Sequence, residues 1–92
     1  MRFEWDQRKA KLNRQKHGVL FEEAVMVFGD PLSATIPDPN HSRLEDRYTT
    51  MGITPNNKLL VVIHLDYDDV VRIISVRYAT KQERKNYEQG YH

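Results

Sequence analysis

The segment that most constrains this chain is Leu59–Leu65, seven residues in which His64 is the one polar side chain. A short, almost wholly apolar run reads as a central strand buried on both faces. Its flanks agree. Pro55-Asn56-Asn57 is a turn ahead of it, and Tyr67-Asp68-Asp69 turns the chain after it into a further strand, Val70–Arg77. Upstream, Leu32–Ile36 is a candidate strand ended by Pro37 and Pro39, and Arg47–Ile53 is another. Successive strands joined by short turns predict an antiparallel meander of four.

The first third of the chain has a different period. Arg2–Trp5 is a short strand. Asp6 then stands as the N-cap of a helix that runs to about His17, with Gly18 where a left-handed C-terminal glycine belongs. That helix is mostly polar. The next is its opposite: Phe21, Ala24, Val25 and Phe28 make one apolar stripe at i, i+3, i+4 and i+7, stopped by Gly29 and Pro31. At the other end, Thr80-Lys81-Gln82-Glu83 matches a capping box and opens a helix to about Gln89. Tyr87 is its only large apolar side chain, so it is expected to dock loosely. The element order predicts a single α+β domain over residues 1–92, with two N-terminal helices and one C-terminal helix on one face of a mostly antiparallel four-stranded sheet.

Several function classes are excluded by motif. The chain has no cysteine, hence no disulfide, thiolate nucleophile or cysteine metal site. Histidines 17, 41, 64 and 92 stand far apart, with no H-x-x-x-H or H-E-x-x-H spacing, so no metal or cofactor is expected. There is no glycine-rich phosphate loop and no G-x-S-x-G elbow. The longest unbroken apolar runs, Leu59–Ile63 among them, are five residues and fall far short of the roughly 20 residues of a membrane helix, and the N-terminus lacks a signal-peptide core. A cytoplasmic location without membrane contact is the expectation. Net charge is only +1, but it is uneven: residues 1–17 carry six Lys/Arg against two acids, and residues 18–46 one Arg against six acids. Such asymmetry suits a basic side for a polyanion and an acidic side for another partner.

The residues able to move protons or hold phosphate gather near strand ends and turns. The segment from Asp38 to Arg47 contains His41, Glu45 and Arg47. Arg77 ends a strand and, by period two, shares a face with Val71, Ile73 and Ser75, while Arg72 falls on the other face with Ile74 and Val76. An arginine continuing an apolar row has either a ligand or a structural carboxylate partner, and both readings stand. Lys16 and His17 close the first helix, where they also complement its dipole. His64, inside an apolar strand, reads as a satisfied core histidine.

An ordered series now identifies a likeness. Phe3-Glu4-Trp5-Asp6, Lys9, Asn13, Lys16-His17-Gly18-Val19 and Phe21-Glu22-Glu23-Ala24 resemble the opening of the BrnT toxin family. Val27-Phe28 with Asp30-Pro31, Glu45 with Arg47, Gly52, the run Arg72–Arg77, Ala79-Thr80 and Glu83-Arg84 complete it almost end to end. The resemblance implies a RelE-like fold and a metal-free endoribonuclease that blocks translation. It also implies neutralisation by a BrnA-like antitoxin, with promoter DNA bound only through the antitoxin complex. Carried onto this sequence, it raises Glu45, Arg47, Arg77 and His17 as catalytic residues, and Lys16, His41 and Tyr78 as RNA contacts. Arg47 and Arg77 would clamp the scissile phosphate, with Glu45 or His17 as base or acid. Relatives often carry a second basic residue after the strand-end arginine; here Tyr78 stands instead and offers a ring for stacking. The alternative is a non-catalytic RNA- or protein-binding module of the same fold.

Overall fold

The computed structural model describes residues 1–38 and 46–90. The chain runs β1 (Arg2–Glu4), α1 (Gln7–His17), α2 (Phe21–Val27), β2 (Ala34–Pro37), β3 (Arg47–Ile53), β4 (Leu59–Tyr67), β5 (Val70–Tyr78) and α3 (Lys81–Glu88). The expected caps are in place. The Asp6 carboxylate accepts the Arg8 and Lys9 N–H groups at 2.7 and 3.2 Å, and Gly18 closes α1 at φ 72°. Thr80 and Glu83 exchange their two capping-box bonds at 3.2 and 2.9 Å.

The sheet has five strands, in the order β1-β5-β4-β3-β2. This corrects the four-stranded antiparallel expectation. Strands β2 to β5 do form the meander, but β1 joins it by pairing parallel to β5, Arg2 opposite Val70 and Glu4 opposite Arg72. A three-residue strand carries no period long enough to reveal its partner, and α1 returns the chain so that β1 lies on the β5 edge.

The helices also divide between two faces. Leu60 and Val62 of β4 pack with Val71, Ile73 and Val76 of β5 against Val19, Phe21, Ala24 and Val27, so α1 and α2 cover one face. The alternate residues Leu59 and Val61, with Met51, meet Ile53, Ala79 and Tyr87 on the opposite face, beneath α3. The C-terminal helix therefore lies across from the other two and not beside them. This is what a strand apolar on both faces demands, since each fully buried Val or Leu contributes about 1.5–3 kcal/mol only if something covers it. Gly52 is where α2 presses closest: a Cβ there would stand 2.9 Å from Val27 Cγ1 and 3.0 Å from the Val27 carbonyl.

β1 ends opposite Arg72, which leaves the outer edge of β5 from Ile73 onward without a strand. Asn13 of α1 fills that place. Its amide nitrogen donates to the Val76 and Val19 carbonyls at 2.9 and 3.0 Å, and its oxygen accepts the Val76 N–H at 3.0 Å and the Ser75 hydroxyl at 3.2 Å. One buried carboxamide thus substitutes for a neighbouring peptide unit. Here too β5 bulges. Ile63 pairs with Ser75 and His64 with Ile73, so Ile74 has no partner opposite. The extra residue inverts the alternation for the rest of the strand. Arg77 pairs with Val61 and Arg72 with Leu65, both on the α3 face. The expectation that Arg77 shares a face with Val71 and Ile73, and that Arg72 lies opposite it, is overturned by this one residue.

Asn13→Ala should leave three buried backbone groups without partners. At roughly 1–3 kcal/mol per orphaned group, partly relieved by water, a loss of about 3 kcal/mol is expected in urea unfolding. A loss below about 1 kcal/mol would refute the role given to this side chain.

Candidate active site

The face of the sheet under and beside α3 carries the two arginines singled out by the sequence. Arg47 is the first residue of β3, half-buried and opposite Leu65, in a row that continues to Arg72 and Glu4. Glu4 accepts from Arg72 Nη1 at 2.6 Å and from the Tyr67 hydroxyl at 2.5 Å. Arg77 stands in the row of Val61, Met51 and Ala34, four residues further along β4. The two backbone positions are therefore about 13 Å apart along the strands and about 10 Å across them. They share a face but do not form a ready-made fork pair.

Arg77 is held by α3. Its Nη1 and Nη2 donate to the two Glu83 carboxylate oxygens at 2.7 and 3.0 Å, and Nη1 also reaches the Tyr78 carbonyl at 3.2 Å. The bidentate geometry keeps the guanidinium plane fixed while its side chain stays about a third exposed (36%). The Arg77 bond holds Glu83 down to about 2, against the upward push of burial and with help from the Thr80 N–H. A carboxyl so acidic is a poor proton acceptor near neutrality, so in this arrangement Glu83 orients Arg77 and is not itself a base.

Beside the pair is a hollow of about 160 Å³ lined by Ala34, Ile36, Thr49, Met51, Val61, Glu83 and Asn86. Its roof is α3, which has no buried residue of its own. The helix is fastened instead by polar pins. At one end is Arg77–Glu83. At the other, the Tyr87 hydroxyl donates to Asp30 Oδ2 at 2.5 Å, and Asp30 also accepts the Ile53 and Leu32 N–H groups at 2.8 and 2.9 Å. Burial pushes Asp30 upward, but these three donors outweigh it and leave its carboxyl below the usual range.

The remaining sequence candidates lie elsewhere. Lys16 and His17 line a cleft of about 250 Å³ between α1 and β5, together with Lys9, Leu12, Asn13, Ile74 and Ser75. Tyr78 is half-exposed on the α2 face opposite Leu60, close to Lys58, whose ammonium pairs with Glu23 at 2.6 Å. Glu45 and His41 lie outside the described residues. His64 is buried and bonded on both ring nitrogens, to Thr50 Oγ1 and Asp66 Oδ1, each at 2.7 Å, as a core histidine should be. Among the described residues, no three His, Cys, Asp or Glu side chains converge to hold a metal ion. No described helix is long and apolar enough to cross a membrane.

Glu83, Asp30 and Tyr87 were not singled out for this site from sequence. Glu83 showed only as a cap, because its second role depends on the side of the sheet to which Arg77 turns. Asp30 had no signal beyond its place before Pro31.

The class is an α+β domain with three helices on a five-stranded mixed sheet, and comparison with known proteins places the chain within it. Residues 5–83 match the family described as the ribonuclease toxin, BrnT, of type II toxin–antitoxin systems, and the chain belongs to that family. Its fold is similar to the 1.1 Å crystal structure of the Brucella abortus ribonuclease toxin BrnT, at a TM-score of 0.69 and 21% identity over 88% of this chain and 99% of that one. No match was found among curated proteins.

Because the folded Glu83 carboxyl titrates below its ordinary value of 4.5, the stability it contributes is present above that value and is lost as the pH falls toward about 2. Over that window the midpoint of thermal unfolding should fall more steeply for the parent than for Glu83→Gln. Parallel curves would mean that the Arg77–Glu83 pair does not stabilise the fold.

Proposed function

We propose that this chain is a metal-independent endoribonuclease that arrests translation in the cytoplasm and is neutralised by a BrnA-like antitoxin, promoter DNA being engaged only by the antitoxin complex. Family membership supports ribonuclease chemistry and an antitoxin partner. The observation that carries the chemical reading is the arginine pair, Arg47 and Arg77, on one sheet face.

Metal-free RNA cleavage needs a base for the ribose 2′-hydroxyl, cations for the extra charge of the pentacoordinate transition state, and an acid for the leaving 5′ oxygen. Arg47 and Arg77 take the cationic part. Both reach one phosphate only where Arg47 extends toward the guanidinium that Glu83 holds in place and the phosphate lies between their rows. A guanidinium has five donors, so Arg77 can receive a phosphate oxygen on the edges that Glu83 leaves unused. Glu45 or His17 supplies the base and acid, and Lys16, His41 and Tyr78 contact the flanking nucleotides.

The second reading is a non-catalytic RNA- or protein-binding module, favoured by the Arg77–Glu83 pair, which already neutralises one of the two cations. Incubation of the purified protein with RNA in a chelator separates the two. The nuclease reading expects fragments ending in 2′,3′-cyclic phosphate, and at least a 100-fold slower reaction for Arg77→Ala, the magnitude of a lost charge-stabilising donor. Cleavage that requires added magnesium, or an Arg77→Ala protein as fast as the parent, would overturn it. Absence of any cleavage, with RNA or protein binding retained, would favour the module.

A further inference from the structure

α1 is built unlike a helix whose only task is to support a sheet. Five of its eleven residues, Arg8, Lys9, Lys11, Arg14 and Lys16, are cationic, and none is a carboxylate. Among the described residues, no carboxylate forms an ion pair with Lys9, Lys11, Arg14 or Lys16. Leu12, in the middle, is 61% exposed although the helix has a core to face. A purely structural helix would pair some of these charges at i, i+4 and turn its leucine inward.

The placement is as telling as the composition. Lys9, Leu12, Asn13 and Lys16 follow one helical stripe, and that stripe borders the cleft of about 250 Å³ whose far wall is Ile74 and Ser75. The two lysines lie seven residues apart, about 10 Å along the helix axis. The far wall is the bulged edge of β5, which β1 leaves uncovered. Ser75 lies two residues, about 6.6 Å, from Arg77 along the strand. The cleft therefore continues the candidate active face around the edge of the sheet. The carbonyl end of α1 is unfavourable to anions, but Arg14, Lys16 and His17 in the last turn offset it.

We propose that the cleft between α1 and the bulged edge of β5 is a binding track for single-stranded RNA leading up to the cleavage site, Lys9 and Lys16 each meeting a backbone phosphate while Leu12 and Ile74 pack against a base or ribose. This extends the ribonuclease reading and rests on RNA being the substrate. Cations interleaved with exposed apolar side chains suit an unpaired strand, which offers phosphates and base faces in alternation. Asn13 and Ser75 join the track to the sheet.

The test is fluorescence anisotropy with a labelled single-stranded oligoribonucleotide, measured across a salt series in an Arg77→Ala background to prevent turnover. Adding Lys9→Ala and Lys16→Ala should weaken binding by roughly tenfold at moderate salt and reduce the slope of log affinity against log salt by about 1.4, two phosphates at about 0.7 each. Lys9→Arg with Lys16→Arg should restore the slope, and Leu12→Ala should lower affinity without changing it. An unchanged slope and affinity in the double alanine variant, with its urea midpoint equal to the parent's, would overturn the track. So would loss of antitoxin binding with RNA affinity kept, which would make the cleft a protein interface. If the intact chain cleaves RNA while these substitutions do nothing, the track alone fails. If it neither cleaves nor binds RNA, the ribonuclease reading fails with it.

Discussion

The arrangement of this molecule depends on the pairing of one side chain, Asn13, with the bare edge of β5. The carboxamide bonds both backbone groups of Val76, and it ties in the Val19 carbonyl and the Ser75 hydroxyl as well. In doing so it joins α1, the approach to α2 and the last third of β5 at a single buried point. The bulge at Ile74 sits beside it. A strand edge that bulges without such a partner leaves N–H and C=O groups exposed to competing strands. With it, β5 can change the side to which its residues turn while both backbone groups of Val76 stay bonded.

The place of Arg77 follows from that change. Because alternation restarts after Ile74, Arg77 turns to the side that α1 and α2 do not cover, where Arg72 and Arg47 also stand. The helix placed on that side is held by a charged pair at one end and a phenol–carboxylate bond at the other, with little apolar burial beneath it. Bonds of this kind exchange for water or phosphate at small net cost, whereas an apolar seam does not. The face is thus roofed by a helix fastened chiefly through polar bonds.

The opposite face has the contrary character. There the apolar residues of α2 and β4 close over a line of polar groups, Thr35 to Thr50 to His64 to Asp66, each bonded to the next at 2.7 Å. Phe28 meets the His64 ring edge-on at 5.0 Å and Tyr48 stacks on it at 6.0 Å. Every donor and acceptor of the imidazole is occupied, so its polarity fixes the register of three strands and offers nothing to a ligand. The two sides of one sheet thus differ, with polar pins and a hollow on one and a closed apolar seam over bonded polar groups on the other.

Local patterns were enough to place most elements. Caps at Asp6, Gly18 and Thr80, the stripe of α2, the turns around β4 and the need to cover that strand twice are all written in neighbouring residues. The opening motif and the spaced Glu45, Arg47 and Arg77 were likewise sufficient to suggest the family that the comparisons show. Three features lay beyond such reading: the parallel docking of β1, the crossing of α3 to the second face, and the partnership of Arg77 with Glu83. Each depends on register across the sheet. A single unpaired residue in β5 exchanges the two faces for everything after it, and nothing in the composition of Ile73-Ile74-Ser75 reports which of them will be the extra one. The amide of Asn13, more than sixty positions away in sequence, bonds the strand just past that residue, and this contact exists only once the chain has folded.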